Sequence, residues 1–440
     1  MIPNDGREPL TRRDLLKVSG AGGLALIAAT AGCLESGNDG GDGGNGGDGG
    51  GNDGGNDGGG SGTGGSDTLT IGMVDSITGS LAPYGERNER GRTLALDAVN
   101  AAGIGENGAK LEITVEDDES KSAPGVNAAR KLVNQDGVPL LIGSVGSGVS
   151  IAMHDSVISG TDVVHISQNS TSPKLTDKPD LLRMSPSGAA KGKALAELIG
   201  RDHDNVAVTW INNDYGTGLS EVFEAEFAGT VSYNSPHDQG QASYRGVLTE
   251  MADTDASAWL FITYANEYTN MVNEAYDQGY HEQVDYYGAE STIADSIIEN
   301  TEPGSQNGMT GITESAPSDQ ESYKQFKSDF EAEFDTSPTV WAAYAYDAVT
   351  VAAIAIEAAD DFSGAAISEV VRDVTRPEGT KVYSFEEAKQ ALADGSSAAD
   401  INYEGVSGPV DLDENGDPPG FYQIYRVTDH EYEFGDFITG

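Results

Sequence analysis

The sequence predicts an α/β protein built from doubly wound parallel sheets, and three observations lead to this prediction. From residue 67 onward, short runs rich in β-branched residues alternate with amphipathic stretches of helical period. Apolar residues make up 37% of the chain, which is enough to build a sizeable core. The length of 440 residues fits two or three domains.

The predicted strands and helices follow one another in order along the chain. Strands are expected at 69–74, 111–117, 140–143, 163–167, 206–211, 258–263 and 285–289. Helices are expected at 86–102, 123–136, 147–159, 217–227, 266–278 and 292–300. Repeated strand–helix–strand units are typical of parallel sheets covered by helices, and a break near 185–200 separates two such sets into two lobes. Ligands bind such sheets beyond the carboxyl ends of the strands, so the loops there are expected to hold a site.

The apolar segment 340–359 is long enough to be considered as a membrane span. Asp347 and Glu357 lie inside it, however, and burying their carboxylates in lipid is costly. The segment is therefore predicted to be a core helix of a soluble lobe.

The charge of the chain excludes two classes of function. The 72 Asp and Glu residues exceed the 25 Lys and Arg residues and give a net charge of −47. Such a field repels nucleic-acid phosphates and excludes recognition of anionic lipid through a basic patch. This composition resembles that of proteins from salt-loving archaea, where molar salt shortens the Debye length to roughly 3 Å. The charge therefore indicates a habitat and not an activity.

The first 66 residues are predicted to export and tether the protein. Residues 11–17 form a twin-arginine pattern, and the apolar run 18–31 is too short to span a membrane but suits a signal peptide. Cys33, the single cysteine of the chain, follows this run in a context that resembles a lipobox. We therefore predict a signal peptide over 1–33, lipidation at Cys33 and a flexible Gly/Asp-rich linker over 34–66. The alternative is a conventionally cleaved or uncleaved anchor.

The sequence does not contain the motifs of the common enzyme classes. The six histidines are dispersed and match no metal-ligand spacing, and nucleophile-elbow, Walker and H-E-x-x-H motifs are missing. Residues 411–417 resemble the first half of a calcium loop, but Tyr422 stands where the twelfth position needs a glutamate. An acidic hairpin turn between VSGPV and GFYQIYRV is the favoured interpretation. We expect no catalytic residue, no metal and no cofactor.

Six segments, in register, carry a resemblance to a known family. They are IGMVDSITGSLAPYG (71–85), VEDDES (115–120), LIGSVGSG (141–148), SQNSTSPKLT (167–176), NDYGTG (213–218) and GPVDLDENGD (408–417). Over about 67–430 the chain resembles the leucine/isoleucine/valine-binding proteins of branched-chain amino-acid ABC importers, which have a type I periplasmic-binding-protein fold. The resemblance implies two lobes joined by a three-crossing hinge. Lobe 1 would comprise 67–186 and 315–406, and lobe 2 would comprise 187–314 and 407–440.

The resemblance also implies a set of ligand-binding residues. These are Tyr84, Ser147, Asn169, Thr171, Tyr215, Tyr264 and Glu290. Ser147 and Thr171 would hold the α-carboxylate of an amino acid, and Glu290, with the carbonyl of Asn169, would hold its ammonium group. The tyrosines from lobe 2 would close over the ligand, while Tyr84 would flank its side chain.

Each of these residues has a plainer alternative role. Ser147 and Thr171 could cap helices, Glu290 could be a solvated acid, and the tyrosines could be core aromatics. Gly146 and Thr339 fall where aliphatic-binding members of the family carry larger apolar side chains, so the specificity stays open between branched-chain, polar and aromatic amino acids and an amide-like solute.

The expected function is therefore binding without catalysis. The resemblance implies a monomeric lipoprotein on the outer face of the cell membrane, exported by the twin-arginine route. It would capture a small amino acid and deliver it to the permease of an ABC importer. The alternatives are a sensory or chemotaxis lipoprotein of the same fold and a binding protein for amides or urea.

Overall fold

Five parallel strands form the first sheet. They are β1 Thr68–Asp75, β2 Lys110–Asp117, β3 Leu140–Gly143, β4 Val164–Ser167 and β5 Leu181–Arg183. Their spatial order is β2-β1-β3-β4-β5, as a doubly wound sheet requires. The computed structural model describes residues 68–438, so the predicted signal peptide 1–33 with Cys33 and the linker 34–66 lie outside the described residues.

Three helices connect these strands. They are α1 Ala82–Ala102, α2 Ser122–Lys131 and α3 Ser147–Met153, and the last two continue as π-helical turns over Leu132–Asp136 and His154–Ile158. The predicted helices 123–136 and 147–159 thus coincide with helical structure, although the backbone hydrogen-bond pattern changes partway along each. The carboxyl end of β1 leads into the loop before α1, and that of β3 leads into the loop before α3. The carboxyl end of β4 leads into the segment that connects it to β5.

The chain then crosses to a second set of alternating elements. Its helices are α4 Gly188–Gly200, α5 Asp214–Glu226, α6 Arg245–Ala252, α7 Ala265–Asp277 and α8 Asp295–Glu299. Its strands are β6 Asn205–Ile211, β7 Thr230–His237, β8 Ala258–Ile262, β9 Asp285–Gly288 and β10 Thr310–Glu314. The predicted helix 292–300 is in fact a short 3₁₀ turn over Glu290–Thr292 followed by α8.

The chain next returns to the first sheet. It adds α9 Glu321–Phe334, α10 Val340–Ala358, α11 Gly364–Val370 and α12 Phe385–Ala393, with a small parallel pair of strands, β11 Thr380–Val382 and β12 Ile401–Tyr403. Apolar residues of α10 share one core with those of β1, β3 and β4. We call the first sheet with its helices lobe 1, and the second sheet with its helices lobe 2.

Two final strands complete the second sheet. β13 Tyr422–Thr428 pairs antiparallel with β10, and β14 Glu431–Ile438 pairs antiparallel with β13, giving the order β14-β13-β10-β9-β8-β6-β7. The antiparallel edge differs from the all-parallel sheet that the sequence predicts. The β13–β14 part of this edge has a local cause, because Asp429 and His430 both have positive φ and form the two-residue turn typical of a tight hairpin.

Helix α10 confirms the prediction of a core helix at 340–359. By length and composition this helix could cross a membrane, yet most of it is buried inside the protein. The carboxylate of Asp347 is fully buried and accepts hydrogen bonds from the Tyr403 hydroxyl at 2.8 Å and from the backbone N–H groups of Val406 at 2.9 Å and Ser407 at 2.8 Å. Asp347 therefore fastens the segment after β12 to the middle of α10.

The acidic segment 411–417 is a turn on lobe 1 and not the hairpin that the sequence favours. Val410 and Leu412 pack in the core of the first sheet, so this part of 407–440 lies with lobe 1 and not with lobe 2. Asp417 pairs with the buried guanidinium of Arg183 at 2.5 Å. Asp413 accepts hydrogen bonds from the backbone N–H groups of residues 415 and 417, which closes the turn.

The close crossing of α1 and α10 leads to a test of the packing. A Cβ atom at Gly91 would overlap the carbonyl oxygen of Ala342, whereas a Cβ atom at the exposed helical Gly246 would meet open space. We expect Gly91→Ala to lower the free energy of unfolding by about 1–3 kcal/mol through overpacking. We expect the matched control Gly246→Ala to raise it by about 0.5–1 kcal/mol. Chemical unfolding in molar NaCl measures both, and a neutral Gly91→Ala would contradict the described contact.

Candidate functional site

A cavity between the two lobes is lined by all of the residues that the resemblance assigns to the ligand. These are Tyr84, Ser147, Asn169, Thr171, Tyr215, Tyr264 and Glu290, and the wall is completed by Leu81, Val145, Gly146, Ser291 and Trp341. The empty space among these residues, including the part that is open to solvent, is about 330 Å³. Apart from Trp341 in α10, its residues follow the carboxyl ends of β1, β3, β4, β6, β8 and β9, where parallel sheets hold their ligands.

Lobe 1 contributes polar groups to the cavity. Asn169 is only 5% exposed, and neither its amide nitrogen nor its carbonyl oxygen has a hydrogen-bond partner among the described residues. A buried amide without partners is costly and indicates a site where another molecule supplies them. The Ser147 hydroxyl accepts a hydrogen bond from the backbone N–H of Ser172 at 3.1 Å. Because it is the acceptor in this bond, its own proton is still able to be donated to a ligand.

Neither Ser147 nor Thr171 caps a helix in the structure, so the helix-capping alternative for these two residues is wrong. Gly146 occupies the N-cap position of α3, and Ser172 caps the next 3₁₀ turn by accepting from the backbone N–H of Lys174 at 3.4 Å. Thr171 is buried, with 3% exposure, at the wall of the cavity.

Lobe 2 contributes a pair of stacked rings. Tyr215 and Tyr264 lie with their ring centroids 5.6 Å apart and an interplanar angle of 13°. The Tyr215 hydroxyl is 2.7 Å from the Ser291 hydroxyl, and Asn213 donates to the Tyr264 hydroxyl at 3.0 Å. Burial raises the pKa of both tyrosines, so each presents a neutral hydroxyl. Tyr215 and Tyr264 belong to the apolar core of lobe 2 and also line the cavity. They are therefore core aromatics and cavity residues at the same time.

Tyr84 faces a partner that the sequence analysis did not identify. Its ring meets the edge of Trp341, in the first turn of α10, with centroids 5.7 Å apart. Trp341 was expected only as part of the core helix 340–359, since nothing in a helical pattern shows which residue reaches a neighbouring loop. Gly146 lines the cavity, where a Cβ atom would lie 3.2 Å from Leu81, while Thr339 lines a wider neighbouring groove instead.

Glu290 is buried and is not a solvated acid. It is 4% exposed, and its Oε2 atom lies 2.6 Å from the ammonium nitrogen of Lys191. The same nitrogen lies 2.7 Å from Oε1 of Glu314, at the end of β10. Lys191 and Glu314 were missed from the sequence, although Lys191 precedes Leu195 and Leu198 by one and two helical turns and so falls on the buried face of α4.

Three buried histidines lie inside the two lobes and do not line the cavity. No group of His, Cys, Asp and Glu among residues 68–438 is arranged to hold a metal ion. His154 and His165 stack on one another inside lobe 1, and His237 bridges the hydroxyls of Thr209 and Thr263 inside lobe 2. His237 therefore satisfies two buried hydroxyls, whereas His154 and His165 pack against each other.

Several solved structures share this fold. One is the branched-chain amino acid transporter substrate-binding protein LivJ of Streptococcus pneumoniae in complex with isoleucine, with a TM-score of 0.72, 22% identity, and coverage of 85% of this chain and 100% of that one. Another is the leucine-binding protein LivK of Thermotoga maritima, with a TM-score of 0.72, 21% identity, and coverage of 84% and 98%. The predicted type I periplasmic-binding-protein fold is thereby confirmed.

Curated relatives match by sequence as well. The Leu/Ile/Val-binding protein BraC3 of Rhizobium johnstonii is 31% identical over 36% of this chain and 43% of its own length. A Leu/Ile/Val-binding protein homologue of Brucella melitensis is matched over 58% of its length, so the chain spans about half of these two relatives.

Two further relatives align over most of their length. The leucine-, isoleucine-, valine-, threonine- and alanine-binding protein of Pseudomonas aeruginosa is 26% identical over 73% of this chain and 87% of its own. The chemotactic signal transduction system substrate-binding protein BasB of Halobacterium salinarum is 21% identical over 84% and 89%. The family described as periplasmic binding protein matches residues 68–430, which is nearly all of the described chain. The chain therefore belongs to the periplasmic binding protein family.

Proposed function

We propose that this protein captures a small amino acid, of branched-chain type or a related one, between its two lobes and performs no catalysis. The observation that carries the proposal is the buried amide of Asn169, which faces the same cavity as Glu290 and has no partner for either of its polar atoms. A zwitterion supplies what these groups need, since its ammonium can donate to a carbonyl and to a carboxylate.

The ligand would be held at both of its charged ends. The hydroxyls of Ser147 and Thr171 would donate to the α-carboxylate, while Glu290 and the carbonyl of Asn169 would accept from the ammonium. Tyr215 and Tyr264 would complete the enclosure from lobe 2. The ligand's side chain would lie against the Tyr84 and Trp341 rings, which present apolar faces to it.

We further propose that the protein works at the outer face of the cell membrane as a lipid-anchored monomer. The support is in the sequence, in the twin-arginine pattern and in the position of Cys33 at the end of the apolar run. The linker over 34–66 would let the folded body reach an ABC importer permease, to which it would deliver the amino acid. Closure of the lobes around the ligand would create the surface that the permease recognises.

A second candidate function is sensing. The Halobacterium salinarum relative is named as a substrate-binding protein of a chemotactic signal transduction system, and it aligns over most of this chain. The net charge of −47 is what a protein from a similarly salty habitat would carry. Sensing and import need the same pocket and anchor, and a binding partner that is a transducer instead of a permease would distinguish them. Binding of an amide or urea is the third candidate.

A thermal-shift screen tests the ligand class. The full chain in molar NaCl is melted with each of the common L-amino acids, with urea and with short amides. A ligand that binds only the folded state stabilises it by RT ln(1 + [L]/Kd), about 2.7 kcal/mol at a hundredfold excess over Kd. We expect a rise in melting temperature with one group of L-amino acids. A rise with amides alone would contradict the amino-acid proposal.

Replacement of Glu290 tests the role of its carboxylate. We expect Glu290→Gln to weaken amino-acid binding by about 1–3 kcal/mol, because the ligand ammonium loses its anionic partner in a buried site. Lys191 keeps Glu314 as a partner in this variant, so the fold should persist. Calorimetry gives the Kd, and Glu299→Gln, at an exposed carboxylate of the wider groove, serves as the matched control. Equal affinities for Glu290→Gln and the wild type would remove Glu290 from the site.

A further inference from the structure

A lysine and two glutamates form a buried ionic cluster behind the cavity. The ammonium nitrogen of Lys191 lies 2.6 Å from Glu290 and 2.7 Å from Glu314, and the side chains of Lys191 and Glu314 are completely buried. Glu290 also lines the cavity, whereas Lys191 and Glu314 do not. The cluster therefore connects the cavity to the end of β10, where the chain leaves lobe 2 for lobe 1.

We propose that Lys191 and Glu314 set the charge of the ligand site, so that binding of an ammonium group at Glu290 releases one proton from Glu314 to the solvent. This inference rests on the proposed function, because it requires an ammonium-bearing ligand. It assigns a role to Lys191 and Glu314, which do not touch the ligand. It also predicts that ligand binding releases a proton, which an amino-acid site with an isolated glutamate would not do.

The number of charges in the cluster leads to this proposal. With all three groups ionised, one cation faces two anions, and the buried site carries one negative charge without a partner. An unpaired buried charge is strongly disfavoured. A proton on one carboxylate removes this charge when the ligand is absent. When the ligand ammonium enters, each carboxylate has a cation of its own, Lys191 for Glu314 and the ligand for Glu290, and the proton is no longer needed.

The position of Glu314 identifies it as the carboxyl that holds the proton. It lies deeper than Glu290, and burial raises its pKa to about 7, with the charge of Lys191 acting in the opposite direction and that of Glu290 adding to the rise. Burial disfavours the Lys191 ammonium, but the two carboxylates outweigh this effect and raise its pKa, so Lys191 stays charged.

The other groups that face Glu314 do not replace it as a proton source. The hydroxyls of Tyr84, Tyr344 and Tyr422 are close enough to feel its charge, and burial raises the pKa of each, so all three stay neutral. Arg87 and His430 line the wider groove on which Glu314 also borders. Neither forms an ion pair with Glu314 in the described part of the chain.

The proposal fixes the pH dependence of binding. Below pH 7 a proton must leave before the ligand ammonium is fully compensated, so Kd should fall about tenfold per pH unit from pH 5 to pH 7 and level off above it. The sign follows from the pKa of Glu314, which is raised in the free protein and lowered again by the bound cation. Carboxylate ligands without an ammonium group should not bind, since they would add a negative charge to the cluster.

Isothermal titration calorimetry on the full chain in molar NaCl tests the inference. The probe is the L-amino acid that raises the melting temperature most in the screen above, with L-isoleucine tried first. Titrations in two buffers of different ionisation enthalpy count the protons released. We expect about 0.9 proton per ligand at pH 6 and about 0.1 at pH 8, for a group with a pKa near 7. Equal heats in both buffers at pH 6 would overturn the inference.

Two variants separate Glu314 from other proton sources. We expect Glu314→Gln to bind the amino acid with no proton release and with a Kd that does not change between pH 6 and pH 8. The control Glu299→Gln should release the same number of protons as the wild type. Proton release that persists in Glu314→Gln would overturn the assignment of the proton to Glu314. If this variant does not fold, the number of protons that the wild type releases at pH 6 and pH 8 tests the inference. If no amino acid binds at all, the proposed function fails as well, whereas binding without release refutes this inference alone.

Discussion

The parallel direction of β1 to β5 in one sheet and of β6 to β10 in the other is the constraint on which the site depends. Parallel strands present their carboxyl ends at one edge of a sheet, so the loops that carry Ser147, Thr171, Tyr215 and Glu290 all open toward the space between the lobes. No single loop contains a recognisable binding motif. The cavity exists because two sheets, each with its own core, turn this same edge toward each other.

The ionic cluster is unusual for a chain of this composition. Acidic residues outnumber basic ones almost threefold, 72 to 25, and among residues 68–438 most of the acidic side chains are exposed or half-buried. Yet Lys191 is fully buried, as is the Arg183 guanidinium that holds Asp417. Surface charges in molar salt are screened within a few ångströms, whereas charges in the interior are not. Electrostatics at these buried sites therefore keep their strength in a solvent that removes it elsewhere.

The sequence predicted the parts of the fold that follow from local pattern and missed those that follow from distant contacts. Strand and helix alternation predicted β1 to β4 and the core helix at 340–359, because these are apolar runs, but it did not predict β5 at Leu181–Arg183. It also missed β13, whose partner β10 lies more than a hundred residues earlier, and β14, which pairs with β13. For the site, the family resemblance identified residues that line one cavity. It did not identify Trp341 and Glu314, because they belong to elements whose position relative to the cavity is visible only in three dimensions.

The placement of β13 and β14 has a consequence for biosynthesis. Lobe 2 begins at residue 188 but receives its last two strands from residues 422–438, after all of lobe 1 has been made. During synthesis, lobe 1 can therefore fold while the β10 edge of lobe 2 still waits for β13, and an unpaired edge invites aggregation. Pairing of β13 with β10 closes this edge only after residues 422–428 have been made. The twin-arginine route that we propose moves folded proteins, so the edge would already be paired before transport, whereas threading an unfolded chain would expose it a second time.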